Sequence, residues 1–446
     1  MSETEKSNFG GRALRYGKTT TTMASLAAKL AGEKWLGLNI DKDSHARELM
    51  MSLGNLKGPL MKVAQILATI PEALPPEYAQ ELQQLQSSAP PMGWPFVKRR
   101  MKAELGENWQ TRFAQFDKES SAAASLGQVH KARHHDGTLL ACKLQYPDMS
   151  SAIDADLKQL KLIFSLYQNY DKSINTNNIH AEIAERLFEE LDYKREARHS
   201  QAYSYMLKDE PNVHVPDIYE DLSTGRLLTS NWLEGDKILN FKTAPIEKRN
   251  QLAMNMFKAW YVPLYQYGII HGDPHLGNYT VRPDDLSINL LDFGCVRIFP
   301  PSFVKGVIDL YHALQTNNND LAVEAYETWG FKGLTNEVIE ILNVWARFLY
   351  GPILDDKIRP IGKAEGAMYG RDTAKQVHEQ LREARAGIPV PREFVFMDRA
   401  ALGLGSVFIH LDAQINWYQL FNEMIDGFDV GALTIRQNKV KKQHSI

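Results

Sequence analysis

Two short stretches constrain this chain more than any other feature. HGDPHLGN, His271 to Asn278, sets Asp273 five residues before Asn278. Fourteen residues after Asn278 comes Asp292-Phe293-Gly294, directly behind the apolar run Ile288 to Leu291. Phosphoryl transfer needs one carboxylate to orient the acceptor and oxygen donors that hold magnesium against the phosphates. In kinase-type sites these are an Asp, an Asn and a DFG Asp, met in that order along the chain. Asp273, Asn278 and Asp292 match the three roles in order and spacing. Either stretch alone is a common turn sequence. The pair is not.

Upstream, TLLACKLQY is a short apolar strand interrupted by Lys143. A lysine in such a run is costly unless a carboxylate meets it. The charged segment EELDYKREA offers Glu190, Asp192 and Glu196. Read as part of one long helix over 179–207, it puts Asp192 and Glu196 on a shared face and turns Glu190 elsewhere. Before the lysine strand stands SAAASLGQVHKA, placed where a phosphate-covering loop belongs but carrying Ala122, Ala123 and Ala124 in place of glycines. Alanine disfavours φ > 0, so these three predict a stiffer, more helix-like turn whose N–H groups still donate to phosphate.

With 446 residues the chain can hold two lobes or two to three domains. The balance of 51 basic against 54 acidic residues creates no global basic field and argues against nucleic acid. Two cysteines, Cys142 and Cys295, are too few for a disulfide scaffold, and each reads as a small apolar residue. No apolar run of about 18 residues predicts a spanning helix, and MSETEK lacks the apolar core of a signal peptide. Gly17-Lys18-Thr19 resembles the end of a phosphate-binding P-loop, but Arg12 replaces its partner glycine and no strand precedes it. His271 and His275 stand four apart, yet Pro274 between them argues for loop scaffolding rather than metal ligation.

The texture changes along the chain. Apolar residues at helical spacing run from Met23 to Leu36, flanked by Lys18, Lys29 and Lys34, which reads as a packed surface helix or one lying on a membrane surface. QVHKAR and TLLACKLQ are strands joined at Asp136-Gly137, and VHVPDIYE and RLLTSNWLEG read as further strands. From Pro245 onward most of the chain is helical, apart from SINLLDFGCVRIF. The expected fold class is α+β. It comprises a helical extension over 1–111, a β-rich lobe over 112–234 and a mainly helical lobe over 235–446.

The set KVAQ (62–65), AAASLGQVH (122–130), ACK (141–143), ELDYKREA (190–197), HGDPHLGN and LLDFG resembles the UbiB/AarF-domain family of atypical protein-kinase-like proteins. The resemblance implies a bilobal kinase-like fold and ATP and Mg2+ as cofactors. It implies Asp273, Lys143 and Glu196 as catalytic residues, with Lys143 on the α/β-phosphates and paired to Glu196. Ala122, Ala123, Ala124, Ser125 and Gln128 would join Lys143 around the nucleotide, and Asn278 and Asp292 would hold the metal. Lys62 and Gln65 match the family's KxGQ motif, which packs across the substrate groove, and Glu190 and Asp192 match its ExD motif. Ala64 replaces the glycine of KxGQ, which removes the close backbone approach that glycine permits.

Two functions follow as expectations. The leading one is an ATP- and Mg-dependent enzyme of weak phosphotransfer or ATPase activity, supporting ubiquinone or related isoprenoid-lipid biosynthesis. The other is a nucleotide-gated scaffold for lipid or protein with little turnover. Expected partners are ATP and ADP, an isoprenoid lipid precursor or quinone-biosynthesis enzymes, and a membrane surface touched peripherally. The expected location is the cytoplasm, at the membrane or not, with the mitochondrial matrix left open.

Overall fold

The computed structural model describes residues 92–124, 126–170, 176–362, a few positions between 373 and 380, and 391–446. Lys62, Ala64, Gln65, Ser125 and the lysine-flanked segment from Met23 to Leu36 lie outside the described residues. The fold is α+β, of the bilobal kinase-like type. Its described residues divide into two compact units. One takes those up to Gly137 together with Ala141–Asp192 and Thr224–Leu227, and the other takes Thr138–Leu140, Tyr193–Ser223 and Leu228–Ile446.

Strands β1 (Gln115–Phe116), β2 (Ala122–Ala124), β3 (Gly127–Arg133), β4 (Leu139–Gln145) and β6 (Leu227–Asn231) form a five-stranded sheet. Its order is β1-β3-β4-β6, with β2 paired to β3. Gly137, at φ 93°, makes the turn between β3 and β4 that Asp136-Gly137 predicts. Along β4 burial alternates, with Leu140, Cys142 and Leu144 fully buried and Lys143 on the other side of the pleat. Cys142 therefore points away from Lys143, as the sequence suggests.

In the first unit, α1 (Trp94–Leu105) carries Pro95 in its first turn, where the fixed φ of proline suits a helix start. It buries Phe96, Val97 and Met101. Trp109, Phe113 and Phe116 pack edge to face beside it, with ring centroids 5.2–6.4 Å apart. Helices α2 (Met149–Tyr170) and α3 (Thr176–Glu189) enclose a smaller core of Leu126, Ile153, Leu157, Leu160, Ile183 and Leu187.

The long helix expected over 179–207 is in fact two, α3 and α4 (Tyr193–Met206). The bonds from Leu191 N–H to Phe188 O and from Asp192 N–H to Glu189 O tighten the chain into a turn, and the Gln145 side chain donates to Leu191 O at 3.1 Å. Glu190 and Asp192 sit in this break rather than on a helix face, so the i, i+4 relation of Asp192 to Glu196 does not hold. The capture of Leu191 by Gln145, a contact remote in sequence, overrides the helical periodicity.

The second unit is built around α5 (Ile246–Tyr267), whose buried face includes Leu252, Met256, Phe257, Trp260 and Leu264. It stops at Gly268, which adopts φ 65° as a left-handed cap and starts β7 (Ile269–His271). A Cβ at Gly268 would lie 2.5 Å from the Gln437 amide and 2.9 Å from Phe299 O. Gln437 is itself buried and donates to Tyr267 O and Phe299 O. Gly268→Ala is expected to cost roughly 2 kcal/mol or more, from the left-handed backbone and the crowding together. Chemical denaturation of both proteins checks this.

Four short strands follow this cap. β7 pairs with β10 (Val296–Ile298), and β8 (Tyr279–Val281) pairs with β9 (Ile288–Leu290), which runs parallel to β5 (Val213–His214). Helices α6 (Pro301–Thr316), α7 (Asn319–Thr328), α8 (Asn336–Leu354), α9 (Arg392–Leu411), α10 (Trp417–Ile425) and α11 (Val430–His444) complete the unit. Among the described residues α9 is long and apolar enough, by length and composition, to cross a membrane, which the sequence did not lead one to expect. Ala400, Leu404, Val407, Phe408 and Leu411 of α9 lie in the core, which accounts for its apolar character.

Candidate active site

Strand pairing alone brings the two motifs together. The segment 272–278 joins β7 to β8, and 291–295 joins β9 to β10, so both loops bridge the same two strand pairs. Backbone bonds close each end: Gly272 N–H donates to Cys295 O at 2.7 Å, and Leu291 N–H donates to Asn278 O at 2.8 Å.

His271 ties the loops to each other. It is buried, its Nδ1 accepts from Asp273 N–H at 3.2 Å, and its Nε2 lies 2.5 Å from Asp292 O. A carbonyl can only accept, so Nε2 carries the proton and Nδ1 does not. One ring thus holds the backbones of both aspartates, and with both nitrogens engaged it is scaffold, as expected. Trp260, fully buried, donates from Nε1 to His271 O at 3.0 Å and packs its ring 5.3 Å from the imidazole and 5.7 Å from Tyr279.

Within the first loop Asn278 Nδ2 donates to Asp273 Oδ2 and to Asp273 O, both at 3.0 Å. These bonds fix the amide orientation and leave Oδ1 outside both of them. In the second loop Asp292 Oδ1 accepts from Gly294 N–H at 3.0 Å. An amide oxygen and a carboxylate are hard donors of the kind magnesium takes, with water and phosphate oxygens completing its octahedron. Such a site needs no protein cage, and among the described residues no group of three or more His, Cys, Asp or Glu forms one. Asn278 and Asp292 therefore fit magnesium. Tyr279, buried beside the loop, has its phenol pushed up by burial and then by the Asp273 carboxylate.

Helix α4 braces the second loop, a role sequence reasoning missed. Arg195 donates to Gly294 O at 3.2 Å and to Val296 O at 3.5 Å, and His199 Nδ1 meets Phe293 O at 3.2 Å. Glu196, on the same helix, is buried and stands in its first turn, where a carboxylate suits the helix dipole. Burial, followed by the Arg195 guanidinium, pushes His199 down to about 3. The unfolded histidine gains a proton below about 6.5, so this site's stability contribution is full above that pH and is lost as pH falls toward 3. Wild type should lose about 1.5 kcal/mol more than His199→Gln between pH 6.5 and 5, since glutamine does not titrate. Urea denaturation at the two pH values reads the difference.

The remaining candidates lie in the first unit. Lys143 is half-buried on β4, and Glu190 and Asp192 occupy the break after α3. The alanines do not form the helix-like turn expected of them. Ala122, Ala123 and Ala124 run extended and pair with Val129, Gln128 and Gly127. Alanine's Cβ excludes φ > 0 but tolerates the β region equally well, and pairing with β3 outweighs its helical preference. Gln128 is fully buried, with its amide bonded to Met92 N–H at 2.7 Å, Met92 O at 3.1 Å and His130 Nε2 at 2.8 Å. That sets its side chain to bracing the sheet against the chain ahead of α1.

A pair of loops that joins an HxD aspartate and its asparagine to a DFG aspartate defines a kinase-like protein. The ABC1 atypical kinase-like domain matches residues 84–326, more than half of the sequence. The chain belongs to this family, the UbiB family of atypical kinases. It is 32% identical over 281 residues to the atypical kinase COQ8, mitochondrial, of Saccharomyces cerevisiae, covering 63% of this chain and 56% of that one. An uncharacterized protein of Synechocystis is 29% identical over 379 residues, covering 83% and 62%. The chain thus spans about half the length of the curated relatives it matches. A solved structure of Rv3197 with erythromycin, from Mycobacterium tuberculosis, superposes with a TM-score of 0.61 at 27% identity, covering 86% of this chain and 96% of that one.

Proposed function

We propose that this protein is an ATP- and magnesium-dependent kinase-like enzyme, of weak phosphotransfer or ATPase activity, that supports ubiquinone or related isoprenoid-lipid biosynthesis at a membrane surface. The supporting observation is the hydrogen bond from Asn278 to the Asp273 carboxylate, in a loop joined through His271 to Asp292. The kinship with atypical kinases supports nucleotide use. The lipid pathway rests on the family resemblance.

In this reading Asp273 presents a carboxylate oxygen to the acceptor hydroxyl or water, orients it and takes its proton. Asn278 holds that carboxylate in one rotamer, so the acceptor meets a preset base. Lys143 supplies a cation for the phosphates, and Ala122–Ala124 take part in holding the nucleotide. Magnesium, held by Asn278 and Asp292, would neutralise charge on the phosphate oxygens. Glu190 and Asp192, with Lys62 and Gln65, restrict which acceptors enter.

The test is ATP turnover with and without vesicles carrying an isoprenoid lipid. Wild type should turn over ATP, and Asp273→Asn should lower kcat by about 100-fold or more while ATP still binds. Binding without turnover in both proteins would replace the enzyme with a nucleotide-gated scaffold.

A further inference from the structure

We propose that helix α9 is the positioning element for the catalytic loop, acting through Gly403, on whose bare Cα the Pro274 ring is seated. This rests on the reading of 271–278 as the phosphoryl-transfer loop. A glycine inside a helix destabilises it relative to alanine, so it asks for a reason. Gly351, within α8, offers none: a Cβ there would meet nothing within 4 Å. At Gly403 a Cβ would collide with Pro274 Cγ and lie 3.4 Å from Cδ. Pro274 is buried, and its ring cannot swing aside as a flexible side chain would. The absent side chain is the seat.

The same face of α9 carries Phe396 and Ala400, seven and three residues before Gly403. The Arg297 guanidinium stands 4.7 Å over the Phe396 ring, and Arg392 stands 5.3 Å from it. Arg297 is in β10, five residues beyond Asp292, and Pro274 directly follows Asp273. One helix face therefore meets the loop that carries Asp273 and the strand that follows the Asp292 loop. A proline also confines the residue before it to extended backbone, so fixing the Pro274 ring fixes the peptide that carries Asp273. Gly403 acts through Asp273 and is a positioning residue.

The experiment compares Gly403→Ala, Gly351→Ala, Pro274→Ala and the Pro274→Ala/Gly403→Ala pair in the full chain. It reads amide exchange at Asp273, Gly277 and Asn278, whose N–H groups bond within the loop, together with ATP turnover. Gly403→Ala should speed exchange there by about tenfold or more and lower kcat by about 10- to 100-fold, with KM for ATP within about twofold. Gly351→Ala should leave exchange and turnover within about twofold of wild type. The double variant should exchange more slowly than either single one, because the new methyl fills the space the ring vacated. Wild-type exchange in Gly403→Ala, or two effects that simply add, overturns the proposal. Should Gly403→Ala fail to fold, Pro274→Ala decides alone, and unchanged loop exchange in it overturns the seat. Absence of turnover in wild type would end the kinase reading, while the exchange comparison would still decide the docking.

Discussion

Magnesium-ATP should raise the Tm of the wild type and leave that of Asp292→Asn unmoved. A ligand selective for the native state adds about 2.7 kcal/mol when present at about 100 times its Kd. Asparagine keeps Oδ1 to accept from Gly294 N–H, so the loop can hold its shape while the charge disappears. The loss should therefore be specific to the metal-bound nucleotide. Chelating divalent ions should erase the wild-type shift as well. Thermal shift with ATP, with and without magnesium, measures all of this. An equal shift in Asp292→Asn would remove Asp292 from the site.

His271→Ala carries the other large expected effect. The imidazole is buried and satisfies Asp273 N–H on one side and Asp292 O on the other. Truncation strands both groups and opens a cavity beneath Trp260, a combined cost of about 2–4 kcal/mol. It also frees two carboxylates that the proposed chemistry needs in register, so kcat should fall by about 100-fold. Urea denaturation and ATP turnover, read on the same preparation, separate the two losses. A variant less than about 1 kcal/mol weaker with normal turnover would show that the loops hold their register without the ring.

The pair of motifs around Asp273 and Asp292 was legible because its chemistry demands fixed residue types at fixed spacing. The strand carrying Lys143 was legible for a similar reason, since alternating burial is a local property of the pleat. What the sequence concealed was decided by remote partners. The break at 190–192 depends on Gln145, more than forty residues away, which no helical period can register. The extended alanines owe their form to β3, the strand after them. Arg195 and His199 carried no signal of their own in the sequence, because the residues they bond lie about a hundred positions away. Gly403 carried a faint signal, a glycine within a helical run, but nothing in the run names Pro274.

The bonds from α4 to the chain after Asp292 have a consequence for control. Kinases require a helix-borne carboxylate and the DFG aspartate to be in place together, and regulators often act by shifting one of them. Here Arg195 and His199 fasten the helix bearing Glu196 to the carbonyls of Phe293, Gly294 and Val296. Moving the helix would strand buried carbonyls and an imidazole held neutral by its surroundings. Glu196 and Asp292 are thus tied through one set of bonds, and withdrawing the helix would disturb the loop that carries Asp292. If the proposed phosphoryl transfer holds, control falls more readily on what reaches the site, the nucleotide or the acceptor, than on the fastening of this helix to the second loop.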